Sequence, residues 1–144
     1  MTDTELAWVA GFFDGEGSVV ISKNAANSFY LVIEITNRNS SCLQQLQAVF
    51  GGSIQKRDRG NPKWACCYVW FLGGGKAKEF LLAISPFLRI KGEQALVGIE
   101  LQRAIDRFKY KKGRAALPRC DVTYREALKI KLAELNRRGP AIVK

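Results

Sequence analysis

The sequence has 144 residues, 47% of them hydrophobic, which fits one globular domain with a substantial core. It contains no histidine, and this excludes His-dependent nucleases, C₂H₂ zinc fingers and hydrolases with Ser-His-Asp or Cys-His sites. The formal net charge of +10 favours a polyanionic partner, which could be DNA, RNA or an anionic membrane surface. All Lys and Arg residues lie after residue 22, and the charged residues before that point are acidic.

The first element is an apolar helix that leads into an acidic turn. Thr2 and Glu5 stand at capping-box spacing, and the apolar residues after them predict a helix that ends near Phe13. Asp14 and Glu16 follow at the negative end of the helix dipole, which disfavours acids. A bound divalent cation would remove that conflict, so the turn is a candidate metal site. An ordinary buried helix with a glycine C-cap is the alternative.

Small residues recur on this helix at every fourth position. Ala7, Gly11 and Gly15 follow that spacing, and Ala10 lies beside them. A glycine inside a helix is about 1 kcal/mol less favourable than alanine, so its presence needs a reason. Small side chains on one face allow the backbone of a second helix to approach closely. The spacing therefore predicts a helix–helix contact along this face.

The rest of the chain has the pattern of two hairpins with helices between and after them. Apolar periodicity and glycine breaks predict strands at 17–23, 29–37, 53–59 and 63–72, and helices at 42–50, 76–84, 92–108 and 122–136. Residues 86–91 are predicted to form a turn or short helix, 110–119 a basic loop, and 137–144 a flexible tail. The fold class is α+β: a single domain over residues 1–136, with a four-stranded antiparallel sheet and helices on one of its faces.

The other face of the sheet is predicted to be open to a ligand. In the second strand, Leu31, Ile33 and Ile35 should face the core, and the residues between them should face outward. The same alternation assigns Arg, Gln, Glu, Ser and aromatic side chains to the open face, with Tyr68 and Trp70 among them. Arg and Gln commonly read guanine and adenine edges in the DNA major groove. Stacking of single-stranded RNA also fits the aromatic residues, and a solvated polar face is the plain alternative.

The cysteines indicate neither a zinc site nor a disulfide framework. None of the four forms a CxxC pair, and the neighbouring Cys66 and Cys67 would point to opposite faces of one strand. We interpret them as reduced residues of an intracellular protein, and we expect neither a signal peptide nor a transmembrane span.

The segment VAGFFDGEG at residues 9–17 resembles the motif of the LAGLIDADG homing endonucleases. The element order αββαββα and the segment PFLRIK at 86–91 extend the likeness along the whole chain. One motif in a chain of this length resembles the single-motif branch, whose members form saddle-shaped homodimers. The resemblance implies a Mg²⁺-dependent DNA endonuclease, a phosphodiester hydrolase that makes a double-strand break at a long pseudo-palindromic site.

The resemblance also implies roles for individual residues. Glu16 matches the metal-binding acid, and the main-chain carbonyl of Gly15 is a further ligand. Asp14 matches the first acid of the motif, which has a more structural role in the family but is also a candidate ligand. Asn37 matches the residue that orders the attacking water, and Lys91 matches the active-site lysine. The implied cofactor is Mg²⁺, with about two or three ions per dimer site and with Mn²⁺ or Ca²⁺ able to substitute in binding.

Two sets of contacts follow from the same resemblance. The motif helices of two subunits are expected to pack together through Ala7, Ala10, Gly11 and Phe12. The predicted DNA-binding residues are Ser22, Asn24, Ser28, Tyr30, Glu34, Gln55, Arg57, Arg59, Tyr68 and Trp70. The chain departs from the family at Ser41, where some relatives carry a second basic residue, and Arg38 is the candidate to replace it.

Two other functions remain open. A non-cleaving member of the family could act as an RNA-splicing maturase or a DNA-binding regulator, although the joint presence of Glu16, Asn37 and Lys91 disfavours this. A basic RNA-binding module without an active site is disfavoured by the acidic turn. The resemblance further implies an intron-encoded protein that acts within the cell, and in a chloroplast or mitochondrion if the intron belongs to an organelle genome.

Overall fold

The computed structural model describes residues 1–58, 60, 66–109 and 117–137. The elements over these ranges are α1 (Asp3–Glu16), β1 (Gly17–Lys23), β2 (Phe29–Asn37), α2 (Ser40–Phe50), β3 (Ser53–Arg57), β4 (Cys67–Gly73), α3 (Gly74–Ile84), a 3₁₀ turn (Ser85–Phe87), α4 (Gly92–Lys109) and α5 (Arg119–Arg137). Most of the predicted basic loop and residues 138–144 of the predicted tail lie outside the described residues. Within the described ranges, no helix is both long and apolar enough to span a membrane.

The strands form one antiparallel sheet in the order β1-β2-β4-β3. Alternate residues of β2, from Phe29 to Ile35, are buried under the helices, whereas those between them are half-buried or exposed. The predicted α+β fold, with the helices on one face of a four-stranded sheet, is confirmed. We call the opposite side of the sheet the outer face.

Helix α4 lies directly against the helix-side face of the sheet. A Cβ atom at Gly98 would come within 3.0–3.1 Å of side-chain carbons of Leu31, Leu81 and Val19. That separation is shorter than ordinary van der Waals contact, so the absence of a side chain allows the helix to pack this closely. The sheet is therefore held by a tightly packed core on its helix side.

The predicted outward placement of Tyr68 and Trp70 is wrong. The register pairs Tyr68 with Asn37 and Trp70 with Ile35, which places both side chains on the helix side. Trp70 is fully buried, donates a 2.8 Å hydrogen bond from Nε1 to the Gly51 carbonyl, and packs edge-on against a buried ring of α3. Residues 67–72 are apolar at every position, so their alternation could not show which set faces the core.

The two edges of the sheet differ. Along β1, the Asn136 side chain of α5 donates a 3.0 Å hydrogen bond to the Val19 carbonyl, and Lys23 forms a 2.8 Å ion pair with Glu126. Helix α5 therefore covers this edge. The β3 edge has no strand beside it in the described part of the chain, and β3 is exposed at every residue except Ile54.

Candidate active site at the foot of the first helix

The chain passes from α1 into β1 without a connecting loop. Helix α1 ends at Glu16, three residues beyond the predicted end at Phe13, and the N–H of Gly17 donates to the Phe13 carbonyl. A Cβ atom at Gly17 would overlap the buried Phe13 ring, so glycine is the residue that fits at this junction without displacing that ring. The predicted acidic turn is therefore the last turn of the helix, and Glu16 is held at the point where helix meets sheet.

Asp14 connects the foot of α1 to the start of α4. Its Oδ2 accepts a 2.9 Å hydrogen bond from the N–H of Arg89, and its Oδ1 accepts from Ile90 at 3.2 Å and Lys91 at 2.9 Å. Both carboxylate oxygens are thus engaged by backbone amides just before α4 begins at Gly92. This arrangement agrees with the structural role expected for the first acid and argues against Asp14 as a metal ligand.

The side chain of Lys91 reaches back to the end of α1. Its Nζ donates hydrogen bonds to the carbonyls of Gly17 and Phe13, the latter at 3.3 Å. A cation at the C-terminus of a helix is favourable because unpaired carbonyls carry partial negative charge there. Burial lowers the pKa of Lys91 below its ordinary value, and the nearby charges of Asp14 and Glu16 oppose that shift. The lysine therefore compensates for the two acids on this turn.

Glu16 is exposed and makes no hydrogen bond or ion pair with any described residue. The adjacent Gly15 is also exposed, and a carbonyl in the last turn of a helix has no partner within the helix. A carboxylate and a main-chain carbonyl are hard oxygen donors of the kind that Mg²⁺ prefers. No group of three or more His, Cys, Asp or Glu side chains lies together in the described residues, so one chain offers only part of a ligand set.

Asn37 and Cys42 lie where β2 ends and α2 begins. The register that pairs Gly17 with Ile35 brings the end of β2 beside the foot of α1, and Asn37 closes β2. Its Oδ1 accepts a 2.8 Å hydrogen bond from the N–H of Asn39, which leaves the amide Nδ2 available. Burial raises the pKa of the Cys42 thiol, and the Glu16 charge adds to this rise. Cys42 had no role in the sequence analysis, because its nearness to Glu16 depends on the tertiary fold.

The second basic residue is absent at the expected position. Ser41 is exposed in the first turn of α2, and its N–H donates to Oδ1 of Asn39, which caps the helix. Arg38 is also exposed, and it follows Asn37 directly at the end of β2. Arg38 therefore lies at the correct end of the strand to serve as a cation near the site, and its role stays a prediction.

One side of α1 is exposed along its length. Ala7, Gly11 and Gly15 are exposed, and a Cβ atom at either glycine would have no neighbour within 4 Å in the described chain. Trp8 is 54% exposed and stacks on Phe12 with ring centroids 5.3 Å apart. An exposed tryptophan beside two glycines that have no packing role within the described chain is typical of a surface that another protein chain covers. Trp8 was missed in the sequence analysis, although it stands one helical turn before Phe12.

Ala10 does not belong to that exposed side. It is fully buried in the core of its own chain, together with its neighbours Val9 and Phe13. Each residue turns the direction of a helical side chain by about 100°, so Ala10 points away from the line through Ala7 and Gly11. Its predicted place in a subunit contact is therefore wrong.

The outer face carries its polar side chains in rows across the strands. The register places Ser22 beside Tyr30 at one end, Ser18, Glu34, Phe71 and Ser53 in one row, Thr36, Val69 and Gln55 in the next, and Cys67 with Arg57 at the other end. Of the predicted DNA-binding residues, Ser22, Tyr30, Glu34, Gln55 and Arg57 thus share this surface. Arg59 lies outside the described residues.

Asn24 and Ser28 shape the loop between β1 and β2. Oδ1 of Asn24 accepts hydrogen bonds from the N–H groups of Ala26 at 2.9 Å and Ser28 at 3.0 Å, and its Nδ2 donates to the Tyr30 hydroxyl. The Asn24 side chain is therefore occupied within the hairpin. A DNA contact by Ser28, which is half-buried, stays a prediction.

Residues 9–71 match the family model described as LAGLIDADG endonuclease. This part of the chain, from the first helix into β4, is similar to the LAGLIDADG endonucleases. A curated protein, "Intron-encoded DNA endonuclease ai2b" of Dictyostelium discoideum, is 38% identical over 51 residues. The match covers 35% of this chain and only 20% of that relative, so it relates one region of each rather than two whole proteins.

Solved structures share the fold over most or nearly all of this chain. The archaeal intron-encoded homing endonuclease I-Vdi141I, solved with DNA, gives a TM-score of 0.76 at 20% identity, with 99% of this chain and 90% of that chain covered. Homing endonuclease I-CvuI, solved with its target and calcium, gives 0.72 at 17% identity, with 97% and 87% covered. I-SmaMI, bound to cleaved DNA, gives 0.65 at 20% identity, but only 42% of it is covered against 86% of this chain. This chain therefore has the size of a single copy of the fold.

Proposed function

We propose that this protein is a site-specific homing endonuclease that cuts both strands of a long, pseudo-palindromic DNA site as a homodimer. The observation that carries the proposal is the foot of α1. There the exposed Glu16 carboxylate has no protein partner in the described chain, while the Lys91 ammonium is bonded to the end of the same helix and Asn37 closes the neighbouring strand. The curated relative and the solved neighbours, named as intron-encoded or homing endonucleases, support the same activity.

The residues at this foot fit a divalent cation. Glu16 and the Gly15 carbonyl would hold Mg²⁺, and phosphate oxygens of the DNA would complete its preferred set of oxygen ligands. When bound, the cation would neutralise part of the phosphate charge and would make water a stronger acid. Calcium and magnesium appear in the names of two solved I-CvuI complexes, which supports divalent metal use here.

The protein side chains have distinct tasks in this proposal. The free Nδ2 of Asn37 donates to a water or a phosphate oxygen beside Glu16, since its Oδ1 is already bonded to Asn39. Lys91 offsets the negative charge of the helix end and of the incoming phosphate. Asp14 is a positioning residue, because it fixes the backbone from which Lys91 extends.

A second copy of the chain supplies the other half of the enzyme. The exposed side of α1, with Ala7, Gly11 and the Trp8–Phe12 pair, is the surface we assign to the contact between subunits. Packing two α1 helices along it would bring two Glu16 residues together, one for each DNA strand. The two outer faces would then form a saddle along one duplex, and two-fold symmetry makes the site pseudo-palindromic.

The test is cleavage of a supercoiled plasmid that carries the uninterrupted host sequence flanking the reading frame. With Mg²⁺ we expect a linear product from the wild type, and from Glu16→Gln we expect unchanged DNA binding without cleavage. The matched control Glu79→Gln removes the same charge from an exposed position on α3 and should cleave normally. Binding of this DNA by the wild type without any cleavage would instead favour a DNA-binding regulator, and cleavage by Glu16→Gln at the wild-type rate would refute the assigned metal site.

A further inference from the structure

The outer face contains one acidic residue among its described positions. That residue is Glu34, in the middle of β2, and a carboxylate there is unexpected on the DNA-binding surface of a chain with net charge +10. It repels the phosphate backbone and therefore weakens binding to every sequence. Such a residue needs a compensating interaction.

No compensating interaction exists within the described chain. Across the strands, Glu34 has Ser18 on one side and Phe71 on the other, and along its own strand the nearest outer residues are Val32 and Thr36. None of these is a cation. Glu34 also takes part in no ion pair or hydrogen bond among the described residues. Glu34 is half-buried and pairs across the strands with Phe71, and limited access of water strengthens a hydrogen bond from any donor that reaches its carboxylate.

We propose that Glu34 reads a cytosine in the major groove, an inference that rests on the proposed DNA-binding function. A carboxylate can only accept hydrogen bonds, and the base donors in that groove are the cytosine N4 and adenine N6 amino groups. Adenine N6 stands beside the N7 acceptor, which repels a carboxylate, so cytosine is the better partner. Glu34 thus lowers the affinity for all DNA sequences but raises the preference for one base pair.

The register also gives the position of that base in the half-site. Glu34 pairs with Ser18, two residues from Glu16, whereas Tyr30 pairs with Ser22 at the far end of the sheet. Glu34 and Tyr30 are four residue steps apart along the strand, which is roughly 13 Å. The cytosine therefore lies on the inner part of the half-site, closer to the cleavage point than any base that Tyr30 contacts.

The experiment begins with selection of a consensus by the wild-type protein from a random duplex pool without Mg²⁺. Each consensus position is then changed to all four base pairs, and dissociation constants are measured for the wild type, Glu34→Gln and the control Glu79→Gln. We expect one inner position per half-site at which the wild type prefers C·G by roughly ten- to one-hundredfold. There Glu34→Gln should switch the preference to A·T, because an amide pairs with adenine N6 and N7.

Either of two results would overturn the inference while leaving the proposed function in place. One is a uniform gain in affinity at all positions in Glu34→Gln, which would mean that the carboxylate acts only through bulk charge. The other is an unchanged preference profile. A wild-type protein that bound no duplex at all would overturn the proposed function together with this inference.

Discussion

Replacing Asp14 with alanine removes the acceptor of three backbone hydrogen bonds, from the N–H groups of Arg89, Ile90 and Lys91. A hydrogen bond to a charged group contributes about 1.5–3 kcal/mol. Arg89 and Ile90 are exposed, so water can replace much of their loss, whereas the amide of half-buried Lys91 is less accessible. We therefore expect Asp14→Ala to lower the free energy of unfolding by about 3 kcal/mol.

Asp14→Asn gives a graded version of the same perturbation. Its single carbonyl oxygen can keep the two bonds that Oδ1 accepts from Ile90 and Lys91, but without the negative charge. The expected loss is about half that of alanine. The control is Asp3→Ala, an exposed acid in the first turn of the same helix, which should cost no more than about 1 kcal/mol.

Urea unfolding followed by circular dichroism measures these differences. The metal should be removed and the protomer concentration held constant, because ligand binding and dimerisation both add to apparent stability. Asp14→Ala with a free energy of unfolding within about 0.5 kcal/mol of the wild type would refute the structural role. An Asp14→Asn variant that unfolds like the wild type yet loses Mg²⁺ binding would show that Asp14 is a metal ligand.

Three further substitutions test other parts of the structure. Gly11→Leu should leave the protomer folded, since outside its own helix no described atom lies within 4 Å of its Cβ position, but should yield monomers in sedimentation experiments. Gly17→Ala should destabilise the protein by about 1–3 kcal/mol in urea, because the new methyl group displaces the buried Phe13 ring. Arg57→Ala should lose about 1–3 kcal/mol of discrimination at one base position per half-site, measured with duplexes substituted at each position.

Each of these has an outcome that contradicts it. A dimeric Gly11→Leu protein would exclude close packing of α1 helices through this side, and Gly75→Leu, also at an open position, controls for the added side chain. Gly17→Ala with wild-type stability would mean that the Phe13 ring has room to move; Gly75→Ala is its control. An equal loss of affinity across all sequences in Arg57→Ala would mean that this side chain contacts phosphate rather than a base.

The sequence predicted correctly those parts of the fold in which apolar and polar residues alternate clearly. The alternation in β2 correctly assigned Leu31, Ile33 and Ile35 to the core, and the pattern at 17–23 defined β1 with its observed bounds. In β4 every position is apolar, so only pairing with β2 decides that Trp70 faces the helices. Alternation within a strand is informative when one face is polar and fails when both are apolar.

The candidate site divides in a similar way between local and long-range information. The motif alone singled out Glu16, because an acid at the end of a helix breaks a local rule. The hydrogen bonds from the 89–91 backbone to Asp14, and those from Lys91 to α1, join segments more than seventy residues apart. Neither contact has a signature in the local sequence. The overlong prediction for β3, which ends at Arg57, reflects the usual uncertainty of element ends.

The unpaired edge of the sheet bears on how the protein can be re-engineered. Among the residues that the structure describes, nothing pairs with the outer edge of β3, and such edges promote aggregation unless charges protect them. Lys56 and Arg57 are both exposed on this short strand. A redesign that replaces Arg57 with a neutral β-branched residue to read a different base would therefore also make this edge strand more prone to aggregation. Loss of solubility, rather than loss of recognition, would then limit which target sequences the proposed endonuclease could be redesigned to cut.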